Sequence, residues 1–188
     1  MTVEGNSKAL ELKWQPLKSY RDLPKIGNIR GVYVWGFHID EKFKPYYVGK
    51  AKDIKDRIFK HLGYILGGLY NIFHENSLSE FQKFKQDVPN EKASCGLLYV
   101  PTTNSLPRFI ESDFLKGQAG RMVDHFRFTV AAVPKEVETW KVESAVIKAL
   151  DIKNLINTTC RVTPLIVRHS SKFDQADGIS CNWILEYL

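Results

Sequence analysis

A chain of 188 residues with 44% hydrophobic content is long enough to bury one good core and short enough to form a single domain. Its net charge of +6 favours an anionic partner, and with no long apolar stretch, lipid-seeking amphipathic helix or N-terminal signal, nucleic acid is expected over a membrane. The cysteines Cys95, Cys160 and Cys181 are odd in number and widely spaced, which suits a reducing compartment, offers no zinc pattern and makes the cytoplasm the expected location.

In chain order, residues 1–30 read as an N-terminal extension whose Trp14, Pro16, Leu17 and Tyr20 supply enough apolar surface to dock on the rest of the domain. Residues 31–37 (GVYVWGF) and 44–48 (KPYYV) are β-rich runs bounded by Gly, Pro and charge, so they predict a hairpin with Tyr33 and Tyr47 on neighbouring strands. Asp53 is placed to cap a helix over 53–62 (DIKDRIFKHL), with Ile54, Ile58 and Leu62 recurring as its apolar stripe. Arg57 and His61, four residues apart, fall together on the adjacent stripe. From 63 to 125 the pattern is mixed: GYILGGLYNIF and EFQKFK suggest helical pieces, CGLLYVP a strand, and LPRFIESDFLKGQAGRM a loop and short helix. Residues 125–133 return to a strand pattern. A helix is expected over 136–150 from Val142, Val146, Ala149 and Leu150, followed by turns and a strand at 163–167 (TPLIV). The fold class expected is α/β of the α+β kind, a small antiparallel sheet flanked by helices.

The two tripeptides Gly31-Val32-Tyr33 and Tyr47-Val48-Gly49, followed by Lys50, Arg57 and His61, resemble the GIY-YIG nuclease family. The resemblance extends to WKVESAVIKAL, where Glu143 stands for the family's metal-binding glutamate, and to Asn157 in LINTT as its concluding asparagine, with Asn154 as the alternative. Valine replaces isoleucine in both tripeptides, which keeps a β-branched strand residue. The domain then covers 31–157 with a long insertion at about 63–125, and 158–188 form a C-terminal extension. The resemblance implies Tyr33 as general base with Tyr47 close by.

The residue types suit phosphodiester hydrolysis, which needs a deprotonated water, a cation on the phosphate oxygens and help for the leaving oxygen. Arg57 offers a permanently charged fork, and Glu143 a hard oxygen ligand for Mg²⁺ or Mn²⁺, ions that keep several waters and so need few protein ligands. An unperturbed tyrosine has a pKa of about 10, so a tyrosine base needs cations such as Lys50 and the metal beside it. His61 could hydrogen-bond a tyrosine or the phosphate. Taken singly, each residue has a plainer reading as strand aromatic, solvated helix face or turn residue; their joint order outweighs those readings.

Between Lys50 and His61 five cations stand against two carboxylates, so Lys52, Lys55 and Lys60, with Asn157, are candidate DNA contacts. The insertion adds polar groups for base readout, Lys116, Gln118 and Arg121 among them, with Gly117 and Gly120 suiting close backbone approach. With no appended zinc finger or helix-turn-helix, the expectation is a compact restriction-type DNA endonuclease. Two alternatives stand beside it: a structure-selective repair or recombination nuclease, and a non-catalytic nucleic-acid-binding module. The sequence leaves a homodimer or higher oligomer open.

Overall fold

The computed structural model describes residues 10–15, 18–39, 42–70, 72, 106–150 and 167–170. Strand β1 is Leu10–Lys13, followed by a 3₁₀ turn at Tyr20–Lys25. Strands β2 (Gly31–Ile39) and β3 (Lys42–Ala51) form the expected hairpin and lead into helix α1 (Ile54–Leu66). Helices α2 (Leu106–Glu111) and α3 (Asp113–His125), strand β4 (Phe126–Ala132), helix α4 (Thr139–Leu150) and strand β5 (Val167–Ser170) complete the described elements.

β2 is the middle strand of an antiparallel sheet of order β3-β2-β4. Being covered on both faces, it reads as a continuous apolar run, and every residue from Gly31 to Phe37 is buried. Alternation then sorts the side chains. Tyr33, Trp35 and Phe37 join Ile54, Ile58, Leu62 and Ile65 of α1 and Ala119, Met122 and Val123 of α3 in one core. Val32 and Val34 join Leu12, Trp14, Val142, Val146, Ile147 and Leu150 in a second core beneath α4. The N-terminal segment docks as expected. Leu12 and Trp14 are fully buried, and Trp14 and Lys18 form isolated bridges to Ala131 and Phe128 of β4.

Three expectations are corrected. α1 does not stop at Leu62: Ile65 continues its buried stripe, and the helix runs to Leu66 before Gly67 and Gly68 end it, so the helical reading of residues 63–66 holds as a continuation of α1. Gly68 has φ +67, and a Cβ there would lie 2.2 Å from Phe109, so both backbone and packing demand glycine. The stretch 106–125 is two helices, with the Ser112 side chain accepting a hydrogen bond from the Leu115 amide at 3.2 Å to cap α3. Gly117 and Gly120, which lie in α3, lower helix propensity by about 1 kcal/mol each, which the burial of Ala119, Met122 and Val123 offsets. Gln118 is 4% exposed and therefore cannot read bases from the surface of the free protein. The expected pieces at EFQKFK and CGLLYVP and residues 163–166 lie outside the described residues, as do Asn154, Asn157 and the three cysteines.

Candidate active site

The two tripeptides face each other across the hairpin. Tyr33 pairs with Gly49, Val34 with Val48, Trp35 with Tyr47 and Val32 with Lys50, with an irregularity after Trp35. Both glycines answer to close approach. A Cβ on Gly31 would sit 2.0 Å from the Ala131 carbonyl oxygen of β4, and one on Gly49 would sit 2.3 Å from Cζ of Tyr33 and 2.6 Å from Cε1 of Tyr47. The absent side chain at Gly49 is thus the space into which both tyrosine rings lean, with centroids 6.1 Å apart.

α1 completes this face. Asp53 caps it by accepting from the Asp56 amide at 3.1 Å, which sets the first turn, and places Arg57 and His61 over Tyr33. His61 is fully buried, not a solvated helix residue, because its ring packs on Trp35 at 5.2 Å between centroids. Its Nε2 lies 2.9 Å from the Tyr33 hydroxyl and its Nδ1 2.8 Å from that of Tyr70. Of the two partners open to His61, the free protein therefore has the tyrosine. Burial disfavours the imidazolium, the nearby Arg57 charge disfavours it further, and the pKa falls to about 3. His61 is neutral at physiological pH.

Burial pushes the Tyr33 phenol well above its ordinary range, and Tyr47 adds to that; the Arg57 guanidinium, which hydrogen-bonds Tyr33, pulls the other way without prevailing. Arg57 itself is half-buried. Burial opposes its charge, but Tyr33 and Tyr47 outweigh that opposition.

Lys50 and Glu143 meet on the other face, since Lys50 follows Gly49 and alternation turns it toward α4. They form an ion pair in which the Glu143 side chain keeps 14% exposure and that of Lys50 40%. The start of α4 is held by Arg30, whose guanidinium donates to the carbonyls of Val133 (3.1 Å), Pro134 (2.8 Å) and Val137 (2.9 Å). The six residues singled out from sequence thus form two groups, Tyr33–Tyr47–Arg57–His61 and Lys50–Glu143, linked through the Gly49–Lys50 peptide.

Among the described residues no group of three or more His, Cys, Asp or Glu could cage a metal. A single, partly exposed carboxylate does suit Mg²⁺ or Mn²⁺, which can complete a shell with water and phosphate oxygens, and does not suit a structural zinc. Lys52, just before α1, and Lys60 on it are exposed and Lys55 is partly so; Lys60 pairs with Asp56 at 2.8 Å and Lys55 donates to the Pro24 carbonyl at 3.3 Å. Two members of the site are not evident from sequence. Tyr70 falls within the stretch that reads as an insertion, although a Gly-Gly helix end followed by an aromatic residue is a signal that the chain turns back. Arg30 carries no pattern of its own.

Comparison of the chain with protein-family models, with curated proteins and with solved structures finds no match. Among the described residues no helix is long and apolar enough to cross a membrane.

Proposed function

We propose that the protein is a metal-dependent DNA endonuclease of the GIY-YIG type, acting as a sequence-specific restriction-type enzyme. The observation that carries this reading is the convergence of Tyr47, Arg57 and His61 on Tyr33 at one face of the hairpin, with the Lys50–Glu143 pair on the other face at the next residue of β3. A fold needs a charged fork and two tyrosines around a glycine at one strand end for no structural reason, whereas phosphoryl chemistry uses each of them.

Arg57 binds a nonbridging phosphate oxygen through charge-assisted hydrogen bonds. Tyr33 would act as general base: its hydroxyl proton first leaves to solvent, and the phenolate, a species that its burial opposes and the adjacent guanidinium favours, then takes the proton of the attacking water and ends the step as the neutral phenol. His61, neutral and fixed against Tyr33, orients that phenol. Glu143 would hold Mg²⁺ or Mn²⁺, which when bound polarises the phosphate and acidifies its water. Lys50 keeps the Glu143 carboxylate neutralised in the free protein. The exposed Lys52, just before α1, and Lys60, with Lys55, offer cations along the first half of α1 for the sugar-phosphate backbone.

The test is incubation of purified protein with supercoiled plasmid in Mg²⁺ or Mn²⁺. Discrete bands support the restriction reading. Preference for flapped or branched substrates would replace it with the structure-selective class, and metal-independent binding without cutting would replace it with a binding module.

A further inference from the structure

Tyr70 belongs to none of the patterns that single out the rest of the site, yet its hydroxyl is the second partner of the buried His61. The placement is local in origin. α1 ends at Gly67, Gly68 takes the left-handed conformation, and the Leu69 and Tyr70 amides both donate to the Tyr64 carbonyl, at 2.9 and 3.1 Å. That turn folds Tyr70 back onto the helix, where it is 1% exposed and stands edge-on to Tyr64.

A neutral imidazole has one donor and one acceptor, and His61 spends both on phenols. Two arrangements satisfy the geometry. In the first, Nδ1–H donates to Tyr70 and the Tyr33 hydroxyl donates to Nε2. The Tyr33 proton is then committed to His61, and a Tyr33 phenolate could form through this bond only by making an imidazolium, in a sealed site beside the Arg57 charge. In the second, the Tyr70 hydroxyl donates to Nδ1 and Nε2–H donates to the Tyr33 oxygen. A phenolate on Tyr33 then receives an N–H from His61 together with the Arg57 fork, and no proton has to enter the buried ring. The groups around His61 are Tyr33 on β2, Tyr47 on β3, Arg57 on α1, Trp35 stacked on its face, and Tyr70. Among the residues facing Nδ1, the Tyr70 hydroxyl at 2.8 Å supplies the donor that the second arrangement requires.

We propose that Tyr70 is a positioning residue, which donates its hydroxyl proton to Nδ1 of His61 and so holds the imidazole as the Nε2–H tautomer aimed at the Tyr33 oxygen. The choice between the two arrangements rests on the nuclease reading; the contacts of His61 with both phenols do not.

Two measurements decide it. The first is ¹⁵N NMR of the histidine-labelled full chain, free of metal and DNA, with the His61 signals identified by their loss in His61→Gln. Near pH 7 they should show a protonated Nε2 and an unprotonated Nδ1, and a protonated Nδ1 would overturn the proposal. In Tyr70→Phe both signals should shift toward a mixture of tautomers; signals identical to wild type would also overturn it. Should Tyr70→Phe fail to fold, a protonated Nδ1 in the wild-type spectrum still overturns the proposal and a protonated Nε2 still supports it. The second is cleavage. Tyr70→Phe should lose roughly ten- to a hundredfold in rate with unchanged DNA affinity in EDTA, by analogy with removing the outer partner of a metal-bound histidine. In a Tyr33→Phe background the same change should cost nothing further, and a second full loss there would show that Tyr70 does not act through Tyr33. If the wild-type chain cuts no DNA, the nuclease reading fails while the spectrum still reports the tautomer.

Discussion

Gly49 lies directly opposite Tyr33 in the β2–β3 ladder, and a methyl group there would sit 2.3 Å from the tyrosine's Cζ. That one missing side chain decides where the phenol rests. Since the ring is fully buried with Tyr47 and His61 as ring neighbours, it has little room to step aside.

Gly49→Ala should therefore overpack the site and lower stability by about 1–3 kcal/mol. Thermal melts by circular dichroism measure it. An unchanged melting temperature would mean that Tyr33 and Tyr47 repack freely around the added methyl group.

Arg57→Ala should leave a folded protein with cleavage reduced on the order of a hundredfold or more, the cost of removing one electrostatic stabiliser of the transition state. The guanidinium is only half-buried, so its removal costs the core little. Near-wild-type cleavage by purified Arg57→Ala would sink its assignment to the phosphate.

Glu143→Gln keeps the side chain's size and removes the charge that would bind the metal. Cleavage should fall on the order of a thousandfold while DNA binding in EDTA persists or tightens, because a negative charge near the phosphate has gone. Lys50→Met should do the reverse to the free protein's metal affinity. With its ammonium partner removed, Glu143 should bind Mn²⁺ more tightly by calorimetry, and weaker binding would show that Lys50 supports the metal instead of competing with it.

His61 makes stability depend on pH. Its pKa is about 3 in the folded protein against 6.5 ordinarily, so between those values the unfolded chain binds a proton that the native one refuses. Native stability contributed by the neutral ring is complete above about pH 6.5 and is lost as pH falls toward 3, by up to about 1.4 kcal/mol per pH unit. Urea unfolding from pH 7 to pH 4.5 should show a steeper loss for wild type than for His61→Gln. Parallel curves would place His61 in a more solvated setting than the structure does.

Replacing Lys52, Lys55 and Lys60 should weaken binding to all DNA sequences alike, and the salt slope should fall by roughly one unit for each phosphate that a lysine no longer neutralises. Lys60 and Lys55 already have partners in Asp56 and the Pro24 carbonyl, so the change at Lys52 is expected to matter most. Affinity and salt dependence identical to wild type would place the DNA path elsewhere.

What the amino-acid sequence determined by itself was everything that depends on near neighbours. The β-branched and aromatic runs of β2 and β3, the Asp53 cap, the four-residue recurrence of Ile54, Ile58 and Leu62, and the helix around Glu143 are all set by period and capping chemistry within a few residues. These suffice to put Tyr33, Tyr47, Arg57 and His61 on adjoining elements. They do not say which groups touch. That His61 is sealed between Trp35 and two phenols, that Tyr70 closes back on it, that Arg30 ties down the entry to α4, and that α3 with its buried Gln118 belongs to the core were decided by tertiary structure alone. The reason is one of range. Sheet register and the turn at Gly68 bring together residues that no periodicity links, and burial, not residue type, then decides whether a histidine, a glutamine or a tyrosine serves the surface or the site.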